Sequence, residues 1–158
     1  MGALLREKEK APDFSLPNSN GEPVSLADFF GQWLVLYFYP KDNTSGCTKE
    51  AMEFSEMLPQ FEAMRCSVVG VSPDSQQSHR RFKEKKGLTV TLLSDPEKTV
   101  LQNYGVWQLK RLAGREYMGV VRSTFLIDPD GIIRRVWTKV KVKGHVESVL
   151  DALRTLQK

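Results

Sequence analysis

The chain has 158 residues, 41% of them hydrophobic and 27% charged, which supplies enough apolar material for one packed core and excludes wholesale disorder. An unbroken apolar run from Trp33 to Tyr39 is far shorter than the roughly 20 residues that a membrane-spanning helix needs, so no membrane span is expected. We predict a single domain over residues 1–158. The formal net charge of +4 does not by itself show whether the protein binds an acidic partner, so the motifs must decide this.

The N-terminal part of the chain is predicted to form an extended hairpin. The first ten residues, MGALLREKEK, alternate charges and lack the apolar stretch of a secretory signal, so a cytoplasmic location is expected. Residues 13–29 contain short extended pieces broken by Pro17, Gly21 and Pro23, a pattern typical of a hairpin.

The rest of the chain is predicted to alternate strands and helices. A buried strand at 33–39 is followed by a helix that Pro59 is expected to kink or divide. The apolar face of this helix consists of Cys47, Ala51, Phe54, Leu58 and Phe61. Further predicted elements are a strand at 67–72, a helix at 75–86 ending at Gly87, an extended segment at 88–94, a short helix at 98–104, strands at 123–128 and 132–139 joined by the turn DPDG, and a final helix at 146–157.

This order of elements predicts an α/β fold of the thioredoxin-like type. Its mixed central sheet would be flanked by helices and preceded by an N-terminal β-hairpin extension. A right-handed crossover makes the strand at 33–39 parallel to the strand at 67–72, and the strand at 123–128 should run antiparallel to the first.

The two cysteines, Cys47 and Cys66, form neither a disulfide framework, nor a zinc ligand set, nor a CxxC pair. The topology places them at opposite ends of the sheet, on the order of 25 Å apart at ~1.5 Å per helical residue. A disulfide needs Cα atoms within ~7 Å, so we expect no bond between them within one chain. Cys66, beside Val68 and Val69, is interpreted as a packing residue.

Cys47 is predicted to lie in the first turn of a helix. Exposed N–H groups and the helix dipole favour the thiolate there, although thiolate population alone raises reactivity only about tenfold. Catalysis would need further groups that bind a substrate and stabilise departing charge. Thr44 offers a hydroxyl that both accepts and donates. Arg122 precedes a strand that begins at the same end of the sheet, where its cation would stabilise the thiolate and a departing oxyanion.

Several segments together resemble one protein family. Residues 40–51, PKDNTSGCTKEA, fit the PxxxTxxC signature of peroxiredoxins. The segments KAPDFSLPN, VVGVSPDS, LLSD, YGVW and RSTFLIDPDG are similar, in order, to those of the peroxiredoxin Q, or bacterioferritin comigratory protein, branch. The resemblance extends over nearly the whole chain.

The resemblance implies a thiol peroxidase without cofactor or metal, in which Cys47 attacks a peroxide oxygen and becomes a sulfenic acid. It further implies that Thr44 and Arg122 bind and polarise hydrogen peroxide or an organic hydroperoxide. Pro40 would shield the thiolate and shape the pocket, and Glu50 would hydrogen-bond around the site. Thioredoxin or another thiol reductant would complete the cycle, and the branch leans towards monomers or weak dimers.

Two positions depart from the family pattern. Ser45 stands where many members have proline, which would loosen the loop. Met52 stands where many members of this branch have a resolving cysteine. We therefore expect a one-Cys cycle, in which an external thiol reduces the sulfenic acid directly or through an intermolecular disulfide.

Other interpretations stay open. The same fold could sense peroxide through Cys47 oxidation without efficient turnover. The segment 138–145, TKVKVKGH, is expected to be a half-exposed edge strand with outward lysines, with docking of an acidic partner or nucleic acid as the less favoured alternative. His145 and Glu147 are two potential metal ligands without a third nearby, so a loop and helix-start role is favoured.

Overall fold

The computed structural model describes residues 5–158, so the predicted domain over 1–158 includes four residues outside the described part. The strands are β1 Ser15–Pro17, β2 Pro23–Ser25, β3 Trp33–Phe38, β4 Cys66–Ser72, β5 Thr91–Ser94, β6 Trp107–Leu112, β7 Arg115–Val120, β8 Ser123–Ile127 and β9 Ile133–Trp137. The helices are α1 Ser45–Ala63, α2 Gln76–Lys86, α3 Thr99–Asn103 and α4 His145–Leu156, with a 3₁₀ turn at Leu26–Phe29. Within the described residues, no helix combines the length and the apolar character needed to cross a membrane.

A mixed five-stranded sheet forms the centre of the molecule, in the order β5-β4-β3-β8-β9. As predicted, β3 runs parallel to β4 and antiparallel to β8. Alternate residues of β3 point to opposite faces. Val35 and Tyr37 join the apolar layer under α1 and α4, whereas Leu36 and Phe38 join the layer formed with α3 and the N-terminal segment. Both layers exclude water from the sheet, and this burial is the main source of stability.

Helix α1 continues through Pro59, so this proline does not divide the helix, a division being one of the two expected outcomes. Proline lacks the N–H that would bond the Ser55 carbonyl one turn earlier. The Thr89 hydroxyl lies 3.4 Å from that carbonyl and donates to it. The Ser55 hydroxyl in turn accepts from the backbone N–H groups of Thr89 and Val90, at 3.0 and 3.3 Å. These contacts compensate for the lost backbone bond and tie α1 to the loop before β5.

The hairpin of β6 and β7 has no counterpart among the predicted elements. Its two-residue turn consists of Ala113 and Gly114, which adopt positive φ angles of 53° and 77°. Two consecutive positive φ angles are typical of the tight turns that join hairpin strands. Ala-Gly is a weaker signal for such a turn than Asn-Gly, because alanine tolerates this conformation poorly.

The basic segment 138–145 is a loop that leads into α4, so its prediction as an edge strand is wrong. Strand β9 ends at Trp137, opposite Thr124, although the Val140 N–H still donates to the carbonyl of Arg122, just before β8, at 3.0 Å. The backbone then turns at Lys139, with a positive φ of 49°. The predicted alternation of exposure nevertheless holds, since the lysines are exposed and the valines half-buried.

Candidate active site

Cys47 is the third residue of α1 and lies close to the carboxyl end of β3, as predicted. Thr44 is the N-cap of this helix, and its carbonyl accepts the first helical bond from the Thr48 N–H at 2.8 Å. The Cys47 side chain is buried among apolar residues, with 2% of its surface exposed. The thiol therefore sits at the positive end of the helix dipole with little contact to bulk water.

Arg122 reaches the thiol from the neighbouring strand. Because Phe38 pairs with Ser123 in the sheet, the residue before β8 starts next to the end of β3. The Arg122 Nη2 atom donates to Cys47 Sγ at 3.2 Å, and Nη1 donates to Glu50 Oε1 at 2.7 Å. The guanidinium thus bridges two acidic groups that lie on the same side of α1.

Glu50 is a buried carboxylate one turn after Cys47. Burial raises its pKa to about 7, against the opposing effect of the Arg122 cation, which stabilises the charged form. Within residues 5–158, Glu50 Oε2 has no hydrogen-bond partner, although His145 Nε2 lies 4.0 Å away. One oxygen of the carboxylate is therefore held by Arg122, and the other faces a buried imidazole.

His145 begins α4 and stays neutral beside this pair. Burial and the Arg122 cation lower its pKa to about 4. Its Nε2 atom lies 2.8 Å from the Thr124 hydroxyl, which fixes the ring between the sheet and α4. Glu147, which the sequence pairs with it as a potential metal ligand, is exposed in the first turn of α4.

The remaining predicted residues lie close to Cys47 along the chain, in the loop before α1 and on α1 itself. The exposed Thr44 hydroxyl donates to the Lys41 carbonyl at 2.9 Å, which leaves its lone pairs free to accept. Pro40 is half-buried and directly follows the last buried residue after β3. Met52 is 47% exposed on α1.

Cys66 lies far from this site. It is the first residue of β4 and pairs with Trp33 at the amino end of β3, whereas Cys47 lies beyond the carboxyl end of that strand. Burial raises the pKa of the Cys66 thiol to about 12. Both cysteines are free, and nearly the whole length of α1 lies between them. The geometry agrees with the expectation that they do not pair in one folded chain.

Sequence reasoning missed two contributors to the site. Gly46 leaves room for the guanidinium, since a Cβ atom there would lie 3.2 Å from Arg122 Nη2. Asp42 is buried beside His79, at the centre of a hydrogen-bond network under the loop before α1. The glycine could have been noted from its place next to Cys47. The pairing of residues 37 positions apart has no sequence signal.

Comparisons with known proteins agree with one another. The family model for the AhpC/TSA family matches residues 8–136. The Bacillus subtilis protein named peroxiredoxin Bcp is 48% identical over 148 residues, covering 94% of each chain. A putative peroxiredoxin bcp of Helicobacter pylori is 47% identical over 149 residues, covering 94% of this chain and 98% of its own. The solved structure of the Xanthomonas campestris bacterioferritin comigratory protein has a TM-score of 0.90 at 39% identity, covering 99% of this chain and 100% of that one. These similarities confirm the predicted thioredoxin-like α/β fold.

Proposed function

Since this chain belongs to the AhpC/TSA family, in its peroxiredoxin Q or bacterioferritin comigratory protein branch, and is a thiol-dependent peroxidase, we propose that Cys47 is the residue that peroxide oxidises. One observation carries this proposal: the buried Cys47 thiol at the start of α1 receives a hydrogen bond from the Arg122 cation at 3.2 Å. Such a donor favours the thiolate, which is the nucleophilic form of cysteine.

The reaction begins with attack of the Cys47 thiolate on one oxygen of the hydroperoxide. A sulfur–oxygen bond forms, the oxygen–oxygen bond breaks, and its electron pair leaves with the second oxygen. That oxygen takes up a proton and departs as water or an alcohol, while the cysteine becomes a sulfenic acid. Arg122 lies where it can stabilise both the thiolate and the charge that develops on the departing oxygen.

Three further residues prepare this step. Thr44 accepts a hydrogen bond from the peroxide, because its own hydroxyl hydrogen is occupied by the Lys41 carbonyl. Glu50 orients the guanidinium through its 2.7 Å bond to Nη1. Pro40 shields the thiolate and narrows the pocket at the end of β3.

The cycle closes with an external thiol. That thiol attacks the sulfenic acid, releasing water and forming a mixed disulfide, and a second thiol then displaces Cys47 and restores it. An internal disulfide with Cys66 would require unravelling most of α1, since ~1.5 Å per residue separates the two cysteines by more than ~20 Å. The exposed Met52 thioether cannot act as a resolving thiol. The proposed cycle is therefore of the one-Cys type.

The reductant that fits this cycle is thioredoxin or another dithiol available in the cytoplasm. We place the enzyme there as a monomer or weak dimer. It acts on hydrogen peroxide and on organic hydroperoxides, with no cofactor, metal or nucleic acid taking part.

Stopped-flow oxidation of the reduced protein, followed by intact mass analysis, tests this proposal. We expect Cys47→Ser to abolish oxidation by one equivalent of peroxide and Cys66→Ser, the matched control, to retain it. Arg122→Met should slow oxidation by about 100-fold or more. Arg122→Lys keeps the positive charge but loses the two-donor geometry of the guanidinium, so its oxidation rate should lie between those of the wild type and Arg122→Met. Rapid oxidation of the Arg122→Met protein would contradict the role of the guanidinium. An internal disulfide in the product would contradict the one-Cys cycle.

Turnover separates a peroxidase from a sensor. With excess dithiol, we expect many equivalents of peroxide to be consumed per protein. A single equivalent consumed, with the oxidised protein accumulating, would instead identify a peroxide sensor.

A further inference from the structure

A second buried polar cluster lies beneath the loop that leads into α1. Of residues 40–46, only Asp42 is buried, so its side chain is the internal anchor of this loop. The Asp42 carboxylate accepts hydrogen bonds from the Tyr39 hydroxyl at 2.5 Å and the Ser78 hydroxyl at 2.7 Å. His79 Nδ1 lies 2.7 Å from the same carboxylate.

His79 connects this anchor to the sheet. Its ring is fully buried on α2, and its Nε2 atom lies 2.9 Å from the Leu93 carbonyl of β5. A carbonyl oxygen only accepts, so Nε2 must carry a hydrogen. Nδ1 likewise donates to the Asp42 carboxylate. The imidazole therefore joins the loop to β5 with one hydrogen bond on each side.

The backbone of the loop is held at the same point. The Asp42 N–H donates to Asp74 Oδ2 at 2.7 Å, and the Ser72 hydroxyl donates to the same oxygen at 2.8 Å. Although atoms of Asp42, Asp74 and His79 lie within 4.8 Å of one another, these hydrogen bonds already occupy them. A cation would have to break this network, so we interpret the cluster as a fixed support for the loop.

The support acts on the site through a short piece of chain. Thr44, the N-cap of α1, follows Asp42 by two residues, and Cys47 follows it by five. Between them, Asn43 takes a positive φ of 63°, so the chain turns sharply just after the anchored residue. A shift of Asp42 would therefore move both the Thr44 hydroxyl and the first turn of α1.

We propose that the buried His79–Asp42 pair positions the active-site loop, holding Thr44 and the first turn of α1 so that Cys47 meets Arg122. His79 is in this sense a positioning residue, since it reaches the thiol only through the loop. The inference rests on the proposed role of Cys47.

Two isosteric replacements of His79 separate its two hydrogen bonds. In His79→Asn, the amide nitrogen takes the place of Nδ1 and keeps the bond to Asp42. In His79→Gln, the amide nitrogen takes the place of Nε2 and keeps the bond to Leu93 but loses Asp42. Both variants are neutral and lose the ring, so a merely structural role would affect them alike.

The readouts are the peroxide oxidation rate and the thiolate absorbance of Cys47, both measured in a Cys66→Ser background. We expect His79→Gln to react about tenfold to 100-fold more slowly than His79→Asn, with a smaller thiolate fraction at neutral pH. Equal rates in the two variants, whatever their melting temperatures, would overturn the inference.

A milder pair of variants covers the case in which neither His79 replacement folds. Ser78→Ala removes one donor to Asp42, whereas Ser75→Ala removes the N-cap of the same helix, where the Ser75 hydroxyl accepts from the Ser78 N–H at 3.1 Å. We expect Ser78→Ala to slow oxidation and Ser75→Ala only to lower the melting temperature. The opposite ranking of rates, or no difference, overturns the inference.

The oxidation rate of the wild type distinguishes a failure of the proposed function from a failure of this inference alone. If Cys47 of the wild type does not react with peroxide, the proposed function fails and this inference fails with it. If the wild type reacts rapidly and the variants that lose a donor to Asp42 react equally fast, only the inference fails.

Discussion

Replacing Glu50 by glutamine should change how the stability of the protein depends on pH. The pKa of this carboxyl rises from 4.5 to about 7 in the folded protein, because the side chain is removed from water. Glutamine has the same shape and still offers an oxygen to Arg122 Nη1, so the fold should persist. The variant has no proton to exchange at this position.

The direction in which pH changes the free energy of unfolding follows from the number of protons that each state binds. Between pH 4.5 and about 7, the folded state holds a proton on Glu50 that the unfolded chain has released. The free energy of unfolding of the wild type therefore falls as pH rises through this window. A shift of about 2.5 pH units, at ~1.4 kcal/mol per unit, corresponds to a loss of roughly 3–4 kcal/mol relative to the variant.

The titration of His145 changes the stability in the opposite direction as pH rises. Its pKa falls from 6.5 to about 4 on folding, so stability rises with pH between those values. Because His145 titrates in both proteins, this contribution cancels when the variant is subtracted from the wild type. The difference in the free energy of unfolding between the two proteins therefore reports the titration of Glu50.

Urea unfolding of the reduced proteins at several pH values between 4.5 and 7.5 measures the effect. Glu56→Gln is the matched control, since it removes the same charge from an exposed position on the same helix. We expect the wild type to lose about 3 kcal/mol relative to Glu50→Gln across this range and the control to lose almost nothing. A constant difference between wild type and Glu50→Gln would refute the reasoning, because it would mean that Glu50 is ionised throughout.

Three further substitutions test close contacts around the sheet and the site. Gly46→Ala should keep or raise the melting temperature, because alanine favours helices by up to ~1 kcal/mol, yet slow peroxide oxidation about tenfold by displacing Arg122 Nη2, 3.2 Å from the added Cβ. Gly70→Ala should lower stability by about 1–3 kcal/mol in urea unfolding, because its Cβ would lie 2.6 Å from the Tyr37 ring. Tyr37→Phe should raise stability by about 1 kcal/mol in the same assay, since the buried Tyr37 hydroxyl finds no hydrogen-bond partner in the described part of the chain. Each prediction would be contradicted by one result: an unchanged oxidation rate in Gly46→Ala, an unchanged free energy of unfolding in Gly70→Ala, or a lower free energy of unfolding in Tyr37→Phe.

Much of this architecture follows from local patterns in the sequence. The apolar run of β3 and the one-face spacing of α1 are strong periodic signals, and the rule for right-handed crossovers then sets the direction of β4. With the strand at 123–128 expected to run antiparallel to β3, Arg122 could be placed at the end of the sheet where Cys47 lies. Cys66 could be placed at the other end by the same argument.

Other elements depend on contacts that no local pattern encodes. The segment 138–145 alternates basic and apolar residues like an edge strand, but the backbone turns at Lys139, with a positive φ of 49°, and leaves the sheet for α4. Pro59 would be expected to interrupt a helix, but Thr89, distant in sequence, supplies a hydrogen bond to the freed Ser55 carbonyl. For Pro59, a neighbour in space decided the outcome.

The sequence by itself determined the order of the main strands and helices, the position of Cys47 at the start of a helix and the end of the sheet at which Arg122 would lie beside it. Only the tertiary structure decided that Arg122 bridges Cys47 and Glu50, and that His79 supports the loop through Asp42. The reason is physical: periodicity reports which face of an element is buried, whereas hydrogen bonds and pKa shifts depend on distances between atoms brought together by folding.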